Sequence, residues 1–234
     1  MIRLAVVGNG KMGHAVAALA PEHGFRVVAL LGASDIWPHG ITAAVLAGAD
    51  VAVEFSVPRA APDNIRQCAD AGCRVVSGTT GWDAERAPVE AHVRQAGGAL
   101  LWSPNFALGV HLFAQIVREA GRHFRAAPSF DAHLTEIHHA AKKDAPSGTA
   151  RKLADLASRG LGRDVPITSI RTGLVPGTHS LLFDGPFEQV RLEHVARDRR
   201  VFAIGALIAA TWLAGQTQSG VYTLDDVLGP GEEA

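Results

Sequence analysis

The densest chemistry in the sequence lies between Glu136 and Ala150, which reads Glu-Ile-His-His-Ala-Ala-Lys-Lys-Asp-Ala-Pro-Ser-Gly-Thr-Ala. His138, His139 and Lys142 stand close together in it. An imidazole can pass a proton near neutral pH, and a lysine offers a fixed positive charge to an anionic substrate. The run Pro146-Ser147-Gly148-Thr149 opens an expected helix that continues through Leu153, so the amides of Ser147, Gly148 and Thr149 read as a carboxylate cradle. Two other readings stay open. The histidine pair could hold a metal, although no third ligand is suitably spaced and Lys142 would repel the cation. A solvated surface cluster of His and Lys is also common.

A second group of residues suits a dinucleotide. Gly8-Asn9-Gly10-Lys11-Met12-Gly13 comes directly after an expected first strand. The first two glycines allow a tight turn and close backbone approach, the third lets a helix pack on the strand, and the helix start offers free N–H groups to a pyrophosphate. A merely tight strand-to-helix turn is the alternative. At the end of the second strand, where an acid would select NAD through the ribose hydroxyl, the sequence reads Leu31-Gly32-Ala33-Ser34-Asp35. No acid stands at the tip itself. With Lys11 and Ser34 nearby a 2′-phosphate is tolerable, so NADPH is expected at least as much as NADH; an exposed turn is the bland reading of Ser34 and Asp35. Gly78-Thr79-Thr80-Gly81 follows the fourth strand, either as ligand-lining loop or as a turn whose hydroxyls cap the next helix.

These residues need elements to hold them. Through the first hundred positions, short apolar runs alternate with Ala-rich segments, the pattern of parallel strands joined by crossover helices. Strands are expected at Ile2 to Val7, Arg26 to Leu31, Val51 to Phe55, Arg74 to Ser77 and Ala99 to Trp102, with helices at Lys11 to Leu19, Pro58 to Ala71 and Asp83 to Ala96. The result is an α/β fold with a Rossmann-like, doubly wound parallel sheet. The pattern changes at Ser103-Pro104-Asn105-Phe106. A helix from Val110 to Phe124, strands at Asp131 to His138, Ile167 to Thr172, His179 to Asp184 and Gln189 to Ala196, and a helix from near Ser147 predict an α+β domain on a mixed sheet. The tail returns to helix at Val201 to Leu213 and a short strand or turn at Val221 to Leu224. A different domain is therefore expected to begin after Trp102.

Composition narrows the partners. Lys and Arg number 22 against 23 Asp and Glu, which leaves no electrostatic footprint for nucleic acid. The longest apolar helical stretch, Val201 to Ala214, is shorter than the roughly 20 residues that span a bilayer. The N-terminus reads as a first strand and not as a signal peptide. Cys68 and Cys73 match neither a zinc pair nor a redox pair, and a reducing cytoplasm is the expected setting.

Taken in order, Gly8 to Gly13, Gly78-Thr79-Thr80-Gly81, Pro104-Asn105-Phe106, and His138-His139 followed by Lys142 and Asp144 to Thr149 resemble the landmarks of the 4-hydroxy-tetrahydrodipicolinate reductase (dihydrodipicolinate reductase) family over nearly the whole chain. The resemblance implies reduction of a small cyclic dicarboxylate imine by NADPH or NADH in diaminopimelate and lysine synthesis, with the cofactor on a domain of residues 1–105 plus 201–234 and with residues 106–200 binding substrate and assembling a homotetramer. By motif position it implies His138 as proton donor and Lys142 as the essential lysine, with His139, Gly148 and Thr149 on the substrate. It also implies Gly78, Thr80 and Ser103 to Phe106, with Ser103, Asn105 and Phe106 among them, beside the nicotinamide, and Arg199 as the arginine at the second domain crossing. No metal is implied. Between the second and third strands, Gly32 to Gly48 replaces a longer segment that can carry an extra helix. An amino- or oxo-acid dehydrogenase of the same architecture, or a catalytically silent dinucleotide sensor, are the competing readings.

Overall fold

Apolar residues on consecutive positions, flanked by helix-compatible segments, have one stable outcome: a parallel sheet covered on both faces. The computed structural model describes residues 1–229 and has this arrangement in its first half. In chain order come β1 (Ile2–Val7), α1 (Lys11–Leu19), β2 (Phe25–Leu31), α2 (Ala33–Ile36), β3 (Val51–Glu54), α3 (Ala61–Asp70), β4 (Arg74–Ser77), α4 (Arg86–Gln95) and β5 (Ala99–Trp102). Then follow α5 (Leu108–Phe124), β6 (Asp131–His138), α6 (Gly148–Leu161), β7 (Ile167–Arg171), β8 (Thr178–Asp184) and β9 (Gln189–Val195), and finally α7 (Arg200–Ala214), β10 (Gly220–Tyr222) and α8 (Leu224–Leu228). Two compact units result, residues 1–107 with the chain from Arg200 onward, and Leu108–Arg199. Of the expected returning segment, 201–234, positions 230–234 lie outside the described residues.

The first unit's sheet runs β10-β5-β4-β3-β1-β2, with every pairing parallel. Period-two alternation divides its side chains between two cores. Ala5, Val7, Ala52, Val75 and Leu100 pack with Ile65 and Cys68 of α3 and Val89 and Val93 of α4. The alternate residues Leu4, Val6, Val53, Val76 and Leu101 are fully buried as well, and α1 and α7 pack together on the sheet. The order in which successive strands are added reverses at β1, which has β2 on one side and β3 on the other, so the ligand-binding crevice of such a sheet falls at their carboxyl ends.

The second unit is a four-stranded sheet, β7-β6-β8-β9, parallel between β6 and β7 and antiparallel elsewhere. One face buries Leu134, Leu181 and Phe183 against Phe113 and Val117 of α5 and Leu153 and Ala157 of α6. The two helices meet closely where Gly121 faces Gly160.

The sequence reading misses the two shortest helices. Each owes its existence to a local cap that periodicity does not register: Asp35 accepts from the Gly32 amide at the start of α2, and Asp226 from the Thr223 amide at the start of α8. Between the second and third strands the four-residue α2 is the only helix.

One close contact fixes the end of β5 relative to α7. A Cβ on Gly205 would sit 1.7 Å from the Phe106 carbonyl oxygen, while the Phe106 ring is buried edge-on against Phe55. Alanine at Gly205 would gain about 1 kcal/mol of helix propensity, and the steric cost of about 1–3 kcal/mol against fixed backbone outweighs it. Gly205→Ala is expected to lower the urea unfolding midpoint and weaken dinucleotide binding; an unchanged midpoint would show that α7 yields at no cost.

Candidate active site

The carboxyl edge of the first unit's sheet gathers four loops by extending the strand ladders. Gly8 N–H donates to Leu31 O, Phe55 N–H to Val7 O, Gly78 N–H to Glu54 O and Ser103 N–H to Ser77 O. Segments separated by some ninety residues in sequence thus lie side by side as neighbours in one sheet. In the first loop Gly8 has φ +109°, and a Cβ there would strike the Phe55 carbonyl at 2.0 Å, so only glycine serves. Gly13 is equally confined, 1.8 Å from Gly8 O, which lets α1 sit against the strand. Gly10 differs: a Cβ there would meet nothing within 4 Å, and no side chain caps α1. Bare backbone, open space and an uncapped helix start are what a pyrophosphate requires. Asn9 and Lys11 are exposed at this edge and Met12 is half-buried.

The other loops are held from beneath by Glu54, a buried carboxylate at the end of β3. Ser77 Oγ donates to its Oε2 at 2.6 Å, while Thr79 Oγ1 and the Ser56 amide donate to Oε1 at 3.0 Å each. Thr79 therefore turns its hydroxyl inward, and its carbonyl accepts from Trp82 and Trp102. Thr80 is exposed and Gly78 half-buried. Ser103 is buried and exchanges hydrogen bonds with the Asn105 backbone, Asn105 Oδ1 accepts from the Ala107 amide, and Phe106 belongs to the core. Ser34 is exposed on α2. The end of β2 differs from expectation. Although the sequence puts no acid at the strand tip, α2 folds Asp35 back so that Oδ2 accepts from Gly32 N at 2.7 Å, bringing a carboxylate to that tip.

In the second unit strand register builds the cluster. Alternate residues of β6 share a face, and along it Leu134 belongs to the core while Glu136 and His138 follow toward the strand's end. Cross-strand pairing sets His179 opposite Glu136 and Arg171 opposite His138. Arg171 Nη2 donates to Glu136 Oε1 at 2.6 Å and to the Asp144 carbonyl at 2.6 Å. The Ser147 amide donates to the same Oε1 at 3.1 Å, and Ser147 Oγ caps α6 by accepting from Ala150 N. Glu136 thereby ties the helix start to the histidines. At that helix start Gly148 is exposed, with open space where a side chain would be, and Thr149 is half-buried. Just past the end of β6, His139 Nε2 lies 3.3 Å from Arg199 Nη2 of the same unit. Lys142 Nζ pairs with Asp144 Oδ1 at 2.7 Å.

Burial raises the Glu136 carboxyl, but hydrogen bonds from Arg171 and Ser147 outweigh it and hold the group down at about 2. His138 is lowered from its ordinary value by burial first; the Glu136 charge opposes this, while Lys142 and Arg171 add to it. His179 is pushed down to about 4, again by burial and then by His138, and is neutral at physiological pH. The sequence pattern alone singles out neither Glu136 nor His179 nor Arg171. Glu136 was available through the period-two spacing to His138. The other two become visible only once the strands are paired. Glu136, His138 and His179 form a trio, distinct from the His138–His139 pair of the sequence reading, whose donor atoms lie within 4.8 Å of one another.

Comparison with known proteins agrees in both halves of the chain. Residues 2–106 match the family model described as dihydrodipicolinate reductase, N-terminus, and 109–228 the corresponding C-terminus. The chain belongs to the dihydrodipicolinate reductase family. Among relatives, the 4-hydroxy-tetrahydrodipicolinate reductase of Archaeoglobus fulgidus is 36% identical, over 97% of this chain and 100% of the relative. That of Methanosarcina mazei is 38% identical, over 77% of this chain and 73% of its own length. In fold, the chain is similar to the dipicolinate-bound dihydrodipicolinate reductase of Paenisporosarcina sp. TG-14, with TM-score 0.77 and 22% identity, covering 95% of this chain and 97% of that one. Scyllo-inositol dehydrogenase from Lactobacillus casei shares the fold at TM-score 0.55 and 12% identity, covering 97% and 92%. The fold alone thus hosts other dehydrogenases; membership in the reductase family does not favour those readings. Like its relatives' names, the family assignment makes this protein a reductase that uses a nicotinamide cofactor.

The depressed His179 has a consequence for stability. Well above pH 6.5 the residue is neutral whether folded or unfolded; as pH falls through 6.5 toward 4 only the unfolded chain gains the proton, so stability is lost across that window. Urea unfolding at pH 7 and pH 5 is expected to differ, with His179 contributing on the order of 1–2 kcal/mol. His179→Gln should lose less stability over this interval than the unmodified chain. An identical loss in both proteins would assign the effect elsewhere.

Proposed function

We propose that this protein reduces 4-hydroxy-tetrahydrodipicolinate, by way of dihydrodipicolinate, to tetrahydrodipicolinate, using NADPH or NADH in diaminopimelate and lysine synthesis. The observation that carries the reading is the joint occurrence of a buried imidazole, a neighbouring lysine and an open, Ser-capped helix start in a chain whose two halves both match the family.

The first unit is the dinucleotide-binding part. Gly8, Asn9, Gly10, Lys11, Met12 and Gly13 take the pyrophosphate, and the fit rests on bare Gly10 before an uncapped α1. Gly78, Thr80, Ser103, Asn105 and Phe106 line the nicotinamide side, with Thr79 supporting them through Glu54. When bound, the reduced nicotinamide supplies the hydride.

The second unit holds the substrate and mediates assembly. Lys142, His139 and the amides of Gly148 and Thr149 orient two ring carboxylates, with Arg199 acting beside His139. A substrate carboxylate at Lys142 replaces or shares the Asp144 partner. It also offsets the lysine's repulsion of a charged His138, favouring the protonated imidazole as the anion arrives. Loss of water from the hydroxylated ring leaves a conjugated imine; after hydride addition, His138 delivers a proton to the ring carbon of the resulting enamine. Assembly as a homotetramer in the cytoplasm completes the proposal, supported by exposed Ile170, Leu174 and Phe187 in the second unit. Among the described residues no helix is long and apolar enough to cross a membrane.

Coupling the protein to a synthase that forms the substrate from pyruvate and aspartate semialdehyde, and following nicotinamide absorbance, tests the activity directly. His138→Gln should lower turnover by roughly two to four orders of magnitude with little effect on substrate affinity, whereas Lys142→Ala should damage both. Both variants should still bind cofactor in a direct titration. Absence of oxidation with either cofactor, or near-normal turnover in His138→Gln, would defeat the reading.

Cofactor choice depends on two opposite charges. Lys11 favours a 2′-phosphate and Asp35, brought to the β2 tip, favours a ribose hydroxyl. Both cofactors should be used, NADPH at least as well as NADH. Lys11→Ala is expected to weaken NADPH selectively and Asp35→Asn to weaken NADH selectively, each roughly 3- to 10-fold. Equal effects on both cofactors would mean that the ribose pocket lies elsewhere.

A further inference from the structure

The mechanism above gives a role to His138 but none to the buried groups that surround it. Glu136 is fully buried, with one carboxylate oxygen taken by Arg171 and the Ser147 amide. Its other oxygen, Oε2, stands 2.5 Å from His138 Nδ1. Both atoms are buried, and neither completes a directional hydrogen bond in this arrangement; the contact lacks only alignment, as is common for catalytic contacts before substrate binds. The opposite nitrogen, Nε2, lies beside Gly177, where a Cβ would come within 3.1 Å of it. Gly177 has φ +155° and leaves that edge of the ring uncovered by any side chain of its own.

We propose that Glu136, anchored by Arg171, is a positioning residue that holds the Nδ1–H edge of His138 inward and so presents Nε2–H to the substrate. The inference rests on the reading of His138 as proton donor and deepens it. During transfer the Nε2–H bond breaks and its electron pair stays on the ring, while the proton forms the new C–H bond of the substrate. The imidazolium becomes the neutral Nδ1–H tautomer, the form that a facing carboxylate favours, and solvent restores the proton afterwards. Arg171 keeps Glu136 ionised throughout, so the carboxylate orients and stabilises without itself taking the proton.

The other charged or titratable groups facing the pair do not replace this role. Arg171 from β7 and Lys142 from the loop after β6 are cations that disfavour the imidazolium. His179 from β8 meets His138 edge-on, with ring centroids 5.2 Å apart, and is neutral; His194 of β9 acts on His179. Glu136 is the carboxylate among these groups that supports a charged His138. A shared metal suits the geometry less well. Two ligands of one tetrahedral zinc, each bonded at about 2.1 Å, stand roughly 3.4 Å apart, well beyond the 2.5 Å contact, and Arg171 already occupies the carboxylate.

The test begins with the unmodified full chain, labelled with ¹⁵N-histidine, with His138→Gln used to assign the His138 signal. At a pH where the ring is neutral, His138 should be the Nδ1–H tautomer. In Glu136→Gln, Arg171 retains the amide oxygen and the NH₂ group faces Nδ1, so the tautomer should change to Nε2–H. Steady-state kinetics should show kcat lowered on the order of 10²- to 10⁴-fold with cofactor KM little changed. Because removing the negative charge lowers the imidazole pKa, the fall of kcat at high pH should begin at a lower pH. Glu136→Asp, which retains the charge, should recover part of both. An Nε2–H tautomer in the unmodified chain would overturn the proposal even if no variant folds. Reduced kcat with an unshifted pH profile and unchanged tautomer would leave Glu136 a purely structural part and overturn it too. So would tight one-to-one cobalt(II) binding by the unmodified protein that His179→Gln abolishes. The tautomer needs no substrate, so an unmodified chain that is Nδ1–H yet fails to oxidise either cofactor would count against the proposed reaction and not against the positioning contact.

Discussion

The second unit depends on how a buried carboxylate is kept satisfied. Glu136 lies on the same face of β6 as the core residue Leu134, two positions on, where alternation would otherwise place another apolar side chain. A charge without water there is costly unless it is paired and hydrogen-bonded. The pairing draws together β7 through Arg171 and the start of α6 through the Ser147 amide. Removing the cation would leave a buried charge alone, so the arrangement holds as a set or not at all. Function and packing therefore share one constraint: the bonds that make the carboxylate tolerable also fix the helix start, the neighbouring loop carbonyl at Asp144 and the edge of His138.

The first unit solves a related problem with neutral donors. Glu54 is fully buried at the end of β3, where it accepts from the hydroxyls of Ser77 and Thr79 and the backbone amide of Ser56, in contrast to the guanidinium at Glu136. Because those donors come from the loops after β3 and β4, the cost of burying the carboxylate also restrains the chain that lines the sheet edge. Positions beside a flexible ligand gain precision when the backbone beneath them is locked. Thr79 and Thr80 illustrate the contrast: the Thr79 hydroxyl faces Glu54, while its neighbour Thr80 is exposed.

Much of this was legible in the residues. The period of the apolar runs specified nine strands of the two sheets and six of the helices to within a few residues, because burial on one or both faces dictates side-chain spacing directly. The glycines of the first loop were legible for the same kind of reason, since a left-handed φ at Gly8 and a close approach at Gly13 admit no other residue. The short helices α2 and α8 escaped because a single side-chain cap sustains each, and a cap carries no periodicity. Asp35 escaped with α2: linear spacing counts residues along the chain, while the helix returns its carboxylate to the strand end.

By itself the sequence determined the fold class, the strands to within about a residue, and the block around His138, Lys142 and Ser147 as the candidate site. Only tertiary structure decided which groups surround His138. Arg171 and His179 are more than thirty positions from His138 and mark themselves by no local pattern. They meet it because β6 pairs with β7 in one direction and with β8 in the other, and a slip of one residue in either register would turn those side chains to the opposite face. Register is a property of paired strands, fixed by the packing of Leu134, Leu181 and Phe183 beneath the helices, and it has no expression in one strand's sequence alone.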